Sequence, residues 1–307
     1  MPLSPQSWHD ALTRQHYIPT TNITTALALA QALEKPLLVE GPPGAGKTYL
    51  AHIASQILDA ALIRLQCYEG IDASKALYEY HYGKQLLYLN VLRERVTSLI
   101  DSSADLEQAI DQLDTALPLW GPAFLLRRPV FEALAPEDQL PRVLLVDEVD
   151  RADREFEALL LEPLSDWSLS IPEYGTVMAT QKPLVILTSN RTRDLSDALR
   201  RRCLYLWIDL PDRAREAAII QAQVADASQA FAGQLADFLG RYRQARPHHV
   251  PSIAEAVELA TALCRTSDPP VTLSPDLIDA VLPIFAKHPQ DLAIGHKTVE
   301  ALSHDVS

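Results

Sequence analysis

An eight-residue loop near the start of the chain has the composition of a phosphate-binding site. It consists of Gly41, Pro42, Pro43, Gly44, Ala45, Gly46, Lys47 and Thr48, which fit the pattern GxxxxGK(S/T). Glycines in such a loop let backbone N–H groups converge on phosphate oxygens. The Lys47 ammonium can then contact the β- and γ-phosphates, and the Thr48 hydroxyl can ligate Mg²⁺. The loop therefore predicts binding of a nucleoside triphosphate together with Mg²⁺.

Two adjacent carboxylates follow an apolar run further along the chain. Asp147 and Glu148 come directly after residues 143–146. Open parallel α/β sheets bind their ligands at the C-terminal edge of the strands. We predict that Asp147 holds Mg²⁺ through water, and that Glu148 is the general base that activates the attacking water. Acidic residues often end strands, so this pair is informative only in combination with the glycine-rich loop.

A third polar group, Asn190, ends another apolar run at 184–189. Its amide can hydrogen-bond the γ-phosphate, or the attacking water beside Glu148. If this strand stood alone, a loop-starting asparagine would be the default interpretation. Asn190 and Arg191 are not followed by the Lys and Asp of an NKxD element, which reads guanine. The sequence therefore favours ATP over GTP.

Arginines are concentrated between residues 191 and 215, where seven of them meet only four aspartates. Three are consecutive, namely Arg200, Arg201 and Arg202. One interpretation is a solvated helix end, because cations are favoured at helix C-termini. The other is an arginine finger that completes the site of a neighbouring subunit, where such a group can raise the rate by about 10³–10⁵. A specific anion partner and simple ion pairing remain equally open for the region as a whole.

The elements that position these groups are short apolar strands that alternate with helices. We predict strands at 37–40, 62–66, 143–147, 184–189 and 204–208. Continuous apolar runs are typical of strands that crossover helices bury on both faces. The alternation of strand and helix therefore predicts an α/β fold with a parallel sheet.

The predicted organisation has two parts. Residues 1–210 would form the nucleotide-binding core, with a helical insertion around 69–135 that several prolines interrupt. Beyond residue 210 the pattern is helical only, so residues 211–307 would form a smaller all-helical domain.

Composition limits the classes of function. The 307 residues are 48% hydrophobic, which fits a globular chain of about two domains. The net charge of −13 disfavours nucleic acid or a membrane surface as the main partner. No apolar run approaches the roughly 18 residues that span a bilayer, and the first residues do not resemble a signal peptide. The three cysteines show no disulfide or zinc pattern, so we predict a cytoplasmic protein.

The order of the chemical elements resembles that of the AAA+ ATPases. The glycine-rich loop comes first, followed by 143–148, then 188–190, and then the arginine run before a last strand. More narrowly, the chain resembles the MoxR family and its CoxD-like branch. This narrower likeness lies in residues 64–72, 76–86 and 198–208.

The resemblance implies an αβα core with a five-stranded parallel sheet, followed by a small all-helical lid domain. It also implies an oligomeric ring, commonly a hexamer, that remodels client proteins with ATP. Many members act in the maturation or metal-cofactor assembly of an enzyme complex, and a von Willebrand factor A-type protein is a frequent partner. By position, Arg202 matches the family's finger best and Arg201 comes next. The insertion around 73–89 and a hairpin near 168–178 would be moving, client-facing parts.

One segment departs from the family's pattern. The lid helix of many AAA+ members begins with a nucleotide-sensing arginine, whereas this chain has Ser252, Ile253, Ala254 and Glu255, with the spacing of a capping box. Arg246 lies nearby in the sequence and could substitute. The missing arginine motivates one alternative, a nucleotide-gated scaffold in which hydrolysis is incidental. A DNA-acting AAA+ motor is a further alternative, which the acidic balance argues against.

Overall fold

The computed structural model describes residues 2–93, 97, 108, 115, 118–266 and 273–305. The predicted insertion around 69–135 and the predicted helical domain at 211–307 therefore lie partly outside the described residues. None of the helices within these ranges is long and apolar enough to cross a membrane.

The chain alternates helices and strands up to its last strand and is helical from there on. The described α-helices are α1 (Pro5–Arg14), α2 (Thr21–Leu33), α3 (Lys47–Ile57), α4 (Ala73–Ala76), α5 (Tyr82–Val91), α6 (Pro129–Leu134), α7 (Arg154–Ser165), α8 (Asp197–Arg200), α9 (Arg213–Gln223), α10 (Gln229–Gln244), α11 (Ile253–Thr266), α12 (Pro275–Phe285) and α13 (Pro289–Asp305). The strands are β1 (Leu37–Glu40), β2 (Ala61–Gln66), β3 (Tyr78–Tyr80), β4 (Leu125–Arg127), β5 (Arg142–Asp147), β6 (Ser168–Ile171), β7 (Gly175–Met178), β8 (Leu184–Ser189) and β9 (Leu204–Trp207). Short 3₁₀ turns cover Pro122–Phe124 and Val149–Arg151.

Five strands form the central sheet, in the order β2-β5-β8-β1-β9. All neighbouring strands in it are parallel. This confirms the predicted five-stranded parallel α/β fold, and the bounds of β1 and β8 are those predicted from the sequence. Because β1 lies between β8 and β9, the loop that follows it opens at the C-terminal edge beside the central strand β8.

Two hydrophobic clusters cover the two faces of this sheet. Leu37 and Val39 of β1 point into one cluster, together with Trp8 and Leu27 from the N-terminal helices. Leu38, between them, points into the other cluster, which contains residues of α6 and α7. Successive side chains of a strand alternate between faces, so each apolar run supplies both clusters. This explains the apolar runs of the inner strands, whereas the edge strands β2 and β9 alternate in burial and so are not covered on both faces as predicted.

The helices from α9 to α13 share a third hydrophobic cluster, built around Phe231, Phe238 and Tyr242. A buried ion pair adds to it, because the Arg243 guanidinium donates to both carboxylate oxygens of Glu216 at 2.7 Å. The predicted lid thus has a core of its own. That it is a separate domain stays a prediction.

The predicted helical insertion also contains a small sheet. β3 and β4 pair antiparallel, and Tyr80 of β3 is buried, with its hydroxyl donating to Pro172 O at 2.9 Å. Alternating tyrosines favour a strand, and here they override the helical pattern around them. β6 and β7 form the antiparallel hairpin near 168–178.

Candidate functional site

The glycine-rich loop joins β1 to α3 at the C-terminal edge of the sheet. All of its predicted residues lie in this connection: Gly41, Pro42, Pro43, Gly44, Ala45, Gly46, Lys47 and Thr48. Gly44 and Gly46 have φ values of +77° and +85°, which side chains rarely tolerate. α3 begins at Lys47, so the positive end of this helix faces the loop. The connection has the backbone of an anion-binding site.

Lys47 is a buried cation whose direct partners are all neutral oxygens. Its Nζ donates to Gly41 O, to Pro42 O and to Asn190 Oδ1, each at 2.8 Å. Burial lowers the pKa of Lys47, and the nearby charges of Asp150, Asp147 and Glu148 partly offset this. A buried ammonium with only neutral direct acceptors fits an anionic ligand such as a phosphate.

The Asp147 carboxylate lies against the first turn of α3. Its Oδ1 accepts hydrogen bonds from the hydroxyls of Thr48 at 2.9 Å and Thr188 at 2.6 Å. Its Oδ2 pairs with an Arg64 Nη atom at 2.5 Å. Hydroxyl and carboxylate oxygens are the hard donors that Mg²⁺ prefers, and this ion takes few protein ligands beside substrate phosphates. Thr48 and Asp147 therefore fit the predicted Mg²⁺.

Glu148 lies beside Asn190, as the sequence predicts. The Asn190 amide Nδ2 donates to Glu148 Oε1 at 3.3 Å. The other oxygen, Oε2, accepts from Gln66 Nε2 at 3.1 Å and pairs with Arg151 Nε at 3.0 Å. Glu148 has a φ of +54°, and its backbone N–H donates to Thr188 Oγ1. The left-handed backbone turns Glu148 away from the direction of Asp147, which separates the two carboxylates.

Sequence reasoning missed two residues that hold these groups. Gln66, at the end of β2, is in register with Asp147 on β5 and so reaches the adjoining Glu148. Asp150 is 2% exposed, and its carboxylate accepts from the backbone N–H of Asn190 at 3.2 Å and of Thr192 at 2.9 Å. The strand order, which puts β2 beside β5, was the available signal for Gln66. Nothing in the pattern around Asp150 pointed to it.

A cavity of about 510 Å³ joins these groups. It is lined by Pro43, Gly44, Gly46, Lys47, Thr48, Tyr49, Asp147, Glu148, Thr188, Asn190, Gln223, Ser252, Ile253, Ala254, Val257 and Glu258. The C-terminal helices close one side, where the Ile253 N–H donates to Gly44 O at 3.2 Å. A second cavity, of about 720 Å³ against α1, holds none of the predicted site residues.

The start of α11 has the predicted capping box. Glu255 N donates to Ser252 Oγ at 3.1 Å, and Ser252 N donates to Glu255 Oε2 at 2.8 Å. Among the described residues that line the cavity there is no arginine, and the exposed Arg246 is not one of them. The predicted substitute for a lid arginine therefore does not reach the cavity.

The three consecutive arginines differ in their surroundings. Arg200 pairs with Glu40 at 3.1 Å, and Arg202 donates to Ala198 O at 2.9 Å and to the Ser165 hydroxyl. Arg201 is exposed and, within the described ranges, its side chain has no partner. None of the three lines the cavity of its own chain.

Most of the remaining arginines in this region are paired within the chain. Arg193 pairs with the buried Glu157 at 2.5 Å, and Arg213 pairs with Asp237. Arg215 donates to Ile18 O at 3.0 Å. Internal pairing therefore accounts for the concentration of arginine better than a bound anion does.

A small cavity of about 40 Å³ beside the glycine-rich loop has aromatic, aliphatic and polar walls, and Arg215 is one of the residues that line it. The rings of Tyr17 and Tyr49 lie 6.1 Å apart, and Ile253 completes the wall on the C-terminal side. Burial raises the pKa of Tyr17 to about 12, so the phenol is neutral at physiological pH.

Comparison with known families decides what this arrangement is. The sequence profile of the AAA domain, dynein-related subfamily, matches residues 36–203, which is more than half of the chain. This chain belongs to that AAA family. The match spans the glycine-rich loop, the Asp147–Glu148 pair and Asn190. As an AAA domain with an αβα core, the protein is an ATP-hydrolysing P-loop NTPase.

Two solved structures of a Thermotoga maritima protein are distantly similar to this AAA chain. The RuvB Holliday junction branch migration motor matches at 19% identity with a TM-score of 0.41, over 91% of this chain and 67% of that one. A glycine mutant of the same RuvB matches at 18% identity with a TM-score of 0.43, over 97% and 70%. No curated protein sequence matches the chain. A likeness at this level carries no information on function.

Proposed function

We propose that this AAA protein is an oligomeric, Mg²⁺-dependent ATPase of the MoxR type, CoxD-like branch, that remodels a partner protein complex. The observation that carries the ATPase site is the meeting of Lys47, Asp147, Glu148 and Asn190 at one cavity. These groups come from α3, β5 and β8 and their following loops, so only the folded sheet brings them together.

Each group has a role that its surroundings support. Lys47 and the loop N–H groups bind the β- and γ-phosphates of ATP, because they offer donors and a buried positive charge. Bound Mg²⁺, held by Thr48 and Asp147, would neutralise phosphate oxygens. Glu148 accepts the proton of the attacking water, and Asn190 orients that water, since its amide lies between Lys47 and Glu148. The nucleotide base packs against Tyr49 and Ile253.

A neighbouring protomer completes the site in this proposal. The charge that develops on the γ-phosphate needs a further cation, and within the described residues the cavity contains no arginine. Arg201 is exposed, and its side chain has no partner among the described residues. The Arg202 guanidinium, in contrast, donates hydrogen bonds within its own chain. We therefore place Arg201 first and Arg202 second as the finger, in a homo-oligomeric ring for which a hexamer is favoured.

The client side of the proposal depends on the resemblance of residues 64–72, 76–86 and 198–208 to the CoxD-like branch. A chaperone-like role in maturation or metal-cofactor assembly of an enzyme complex follows from it, with a von Willebrand factor A-type partner in the cytoplasm. The hairpin of β6 and β7 is the client-facing candidate, because Tyr174 and Met178 there are exposed. The net charge of −13 disfavours a DNA substrate.

One observation favours a second candidate, a nucleotide-gated scaffold in which hydrolysis is incidental. Glu258 of α11 lines the cavity on the side where an arginine would be expected. A carboxylate there does not attract the γ-phosphate, so lid closure would respond weakly to hydrolysis.

Replacement of Glu148 by Gln tests the ATPase proposal. The amide keeps the shape of the side chain but cannot accept the proton, so we expect ATP binding to persist and turnover to fall by about 10²-fold or more. Glu155→Gln, at an exposed position in α7, is the matched control and is expected to keep the rate of the unaltered protein. Equal rates for both variants would remove Glu148 from the mechanism.

The same variant separates the two candidates. A remodelling ATPase needs turnover, so Glu148→Gln would fail to support client maturation although it binds ATP. A scaffold needs only occupancy, so Glu148→Gln would support it and Lys47→Ala, which removes a phosphate ligand, would not. Client maturation scored in cells that carry each variant distinguishes these outcomes.

A further inference from the structure

Glu40 is a buried carboxylate that the proposed catalytic steps leave unused. It is the last residue of β1, directly before Gly41, and its side chain is 1% exposed. A buried carboxylate is stable only when it is paired and hydrogen-bonded. Four side chains surround this one, and they come from three separate segments of the chain.

Two of these side chains flank Asn190. Ser189 Oγ donates to Glu40 Oε1 at 3.4 Å, and Arg191 Nε lies 3.7 Å from Oε2. The Arg191 backbone N–H also donates to Ser189 Oγ at 3.0 Å, and Arg191 has a left-handed φ of +56°. Glu40 is thus anchored between β1 and β8, the two strands that carry the phosphate-binding loop and Asn190.

The other two side chains belong to the arginine region. An Arg200 Nη atom donates to Glu40 Oε1, and the Tyr205 hydroxyl donates to Oε2, each at 3.1 Å. Burial and, after it, the negative charge of Glu40 raise the pKa of Tyr205. Arg200 is the last residue of α8 and directly precedes Arg201. The carboxylate therefore links the base of the phosphate-binding loop to the helix that presents the arginines.

We propose that Glu40 is a positioning residue. In each protomer it holds the arginines that reach the neighbouring protomer at a fixed position relative to the phosphate-binding loop of the same chain. The proposal rests on the proposed function, because it needs an arginine that acts across a subunit boundary. Glu40 contacts neither of the finger candidates, Arg201 and Arg202, directly and acts through Arg200 and Tyr205. A misplacement of about 1 Å at a catalytic group can cost about a hundredfold in rate, so loss of this link has a measurable effect.

Mixed oligomers isolate this effect from the protomer's own site. The receiver is the full chain with Arg201→Ala and Arg202→Ala, which keeps its nucleotide site but has no finger to offer. The donor is Lys47→Ala, which has a defective site of its own but intact arginines. We expect turnover to be restored when donor and receiver are mixed, because donor arginines complete receiver sites.

The test is a donor that carries Glu40→Gln in addition to Lys47→Ala. Glutamine keeps the size of the side chain and removes the charge that holds Arg200, so we expect this donor to restore about tenfold less turnover than Lys47→Ala alone. The control donor combines Lys47→Ala with Asp291→Asn, which neutralises another fully buried carboxylate among the C-terminal helices. It is expected to restore as much turnover as Lys47→Ala.

Each failure has its own signature. If the Glu40→Gln donor restores turnover as fully as the Lys47→Ala donor, the positioning role of Glu40 is overturned while the proposed function stands. If the Lys47→Ala donor restores nothing, the shared site fails and the role of Glu40 fails with it. Should Glu40→Gln prevent assembly, the donor with Tyr205→Phe takes its place, since it removes only one hydroxyl contact. Full restoration by that donor would equally overturn the proposal.

Discussion

At the scale of single residues, the candidate site is a set of charges held in place before any nucleotide is present. Lys47 touches three neutral oxygens, and both oxygens of Asp147 are engaged by hydroxyls and by Arg64. These contacts fix the positions of the charged groups, and a bound phosphate would replace at least one of the three acceptors of Lys47, because an ammonium has three N–H donors. The proposed phosphate and magnesium ligands therefore lie in one place, at the edge of the sheet.

Gln66 is the residue whose removal best tests this preorganisation. Its amide holds one oxygen of Glu148, so Gln66→Ala frees the general base to adopt other rotamers. We expect kcat to fall by about three- to tenfold with KM for ATP nearly unchanged, because the phosphate ligands are untouched. Steady-state kinetics measures both. Gln56→Ala, at an exposed position of α3, serves as the control, and an equal effect there would refute the assignment.

The sequence predicted the site residues that stand in three recognisable motifs, and it did not predict Gln66 and Asp150. Lys47, Asp147, Glu148 and Asn190 each follow or end an apolar run, and parallel strands bring such ends to one edge. Gln66 also ends a predicted strand, but its reach to Glu148 depends on the pairing of β2 with β5, and Asp150 does not end a strand. The side chain of Arg202 donates hydrogen bonds to residues of α7 and α8, whereas that of Arg201 does not. No spacing in the sequence encodes this difference.

At the scale of elements, the contact between the glycine-rich loop and the start of α11 stands out. Gly44 lies against Ser252, and a Cβ built on Gly44 would overlap with the Cα and Cβ of Ser252. The backbone at the start of α11 thus lies directly against the glycine-rich loop. The helix start was predictable from the Ser252–Glu255 spacing, but its docking on Gly44 was not, because it depends on tertiary packing.

Gly44→Ala is expected to open this contact. The new methyl group would push α11 away from the loop, so we expect nucleotide affinity to fall by about tenfold or more, measured by calorimetric or fluorescent titration. Gly70→Ala is a matched control, because Gly70 has a similar φ of +80° but no heavy atom within 4 Å of a Cβ built there. Equal nucleotide affinities for the two variants would contradict the role of this contact.

The C-terminal helices depend on the pair between α9 and α10. Glu216→Gln leaves the buried Arg243 without a charged partner, so we expect the free energy of unfolding of this region to fall by about 3 kcal/mol or more. Asp237→Asn, which breaks the more exposed pair with Arg213, should cost less than about 1 kcal/mol. Chemical denaturation followed by far-UV circular dichroism compares the two. Similar losses would contradict the account of this pair.

At the scale of the whole molecule, seven of the arginines of this acidic chain lie between residues 191 and 215, around the edge strand β9. Most of them are paired internally, and Arg201 is the exposed exception among the seven arginines of residues 191–215. An AAA chain with an arginine-free cavity and an unpaired arginine elsewhere fits a site that two copies share. The alternation of strands and helices, together with the resemblance of the motif order to the AAA+ ATPases, led to the fold correctly, whereas the assembly remains a proposal.

The most direct test of the shared site is turnover per protomer measured across protomer concentration, with the mass determined in the same samples in the presence of ATP and Mg²⁺. The account predicts that turnover per protomer rises as the oligomer forms and falls by about 10³-fold or more on dilution to monomers, since the finger is then lost. Brisk turnover that stays constant while the mass remains that of a single chain would contradict it.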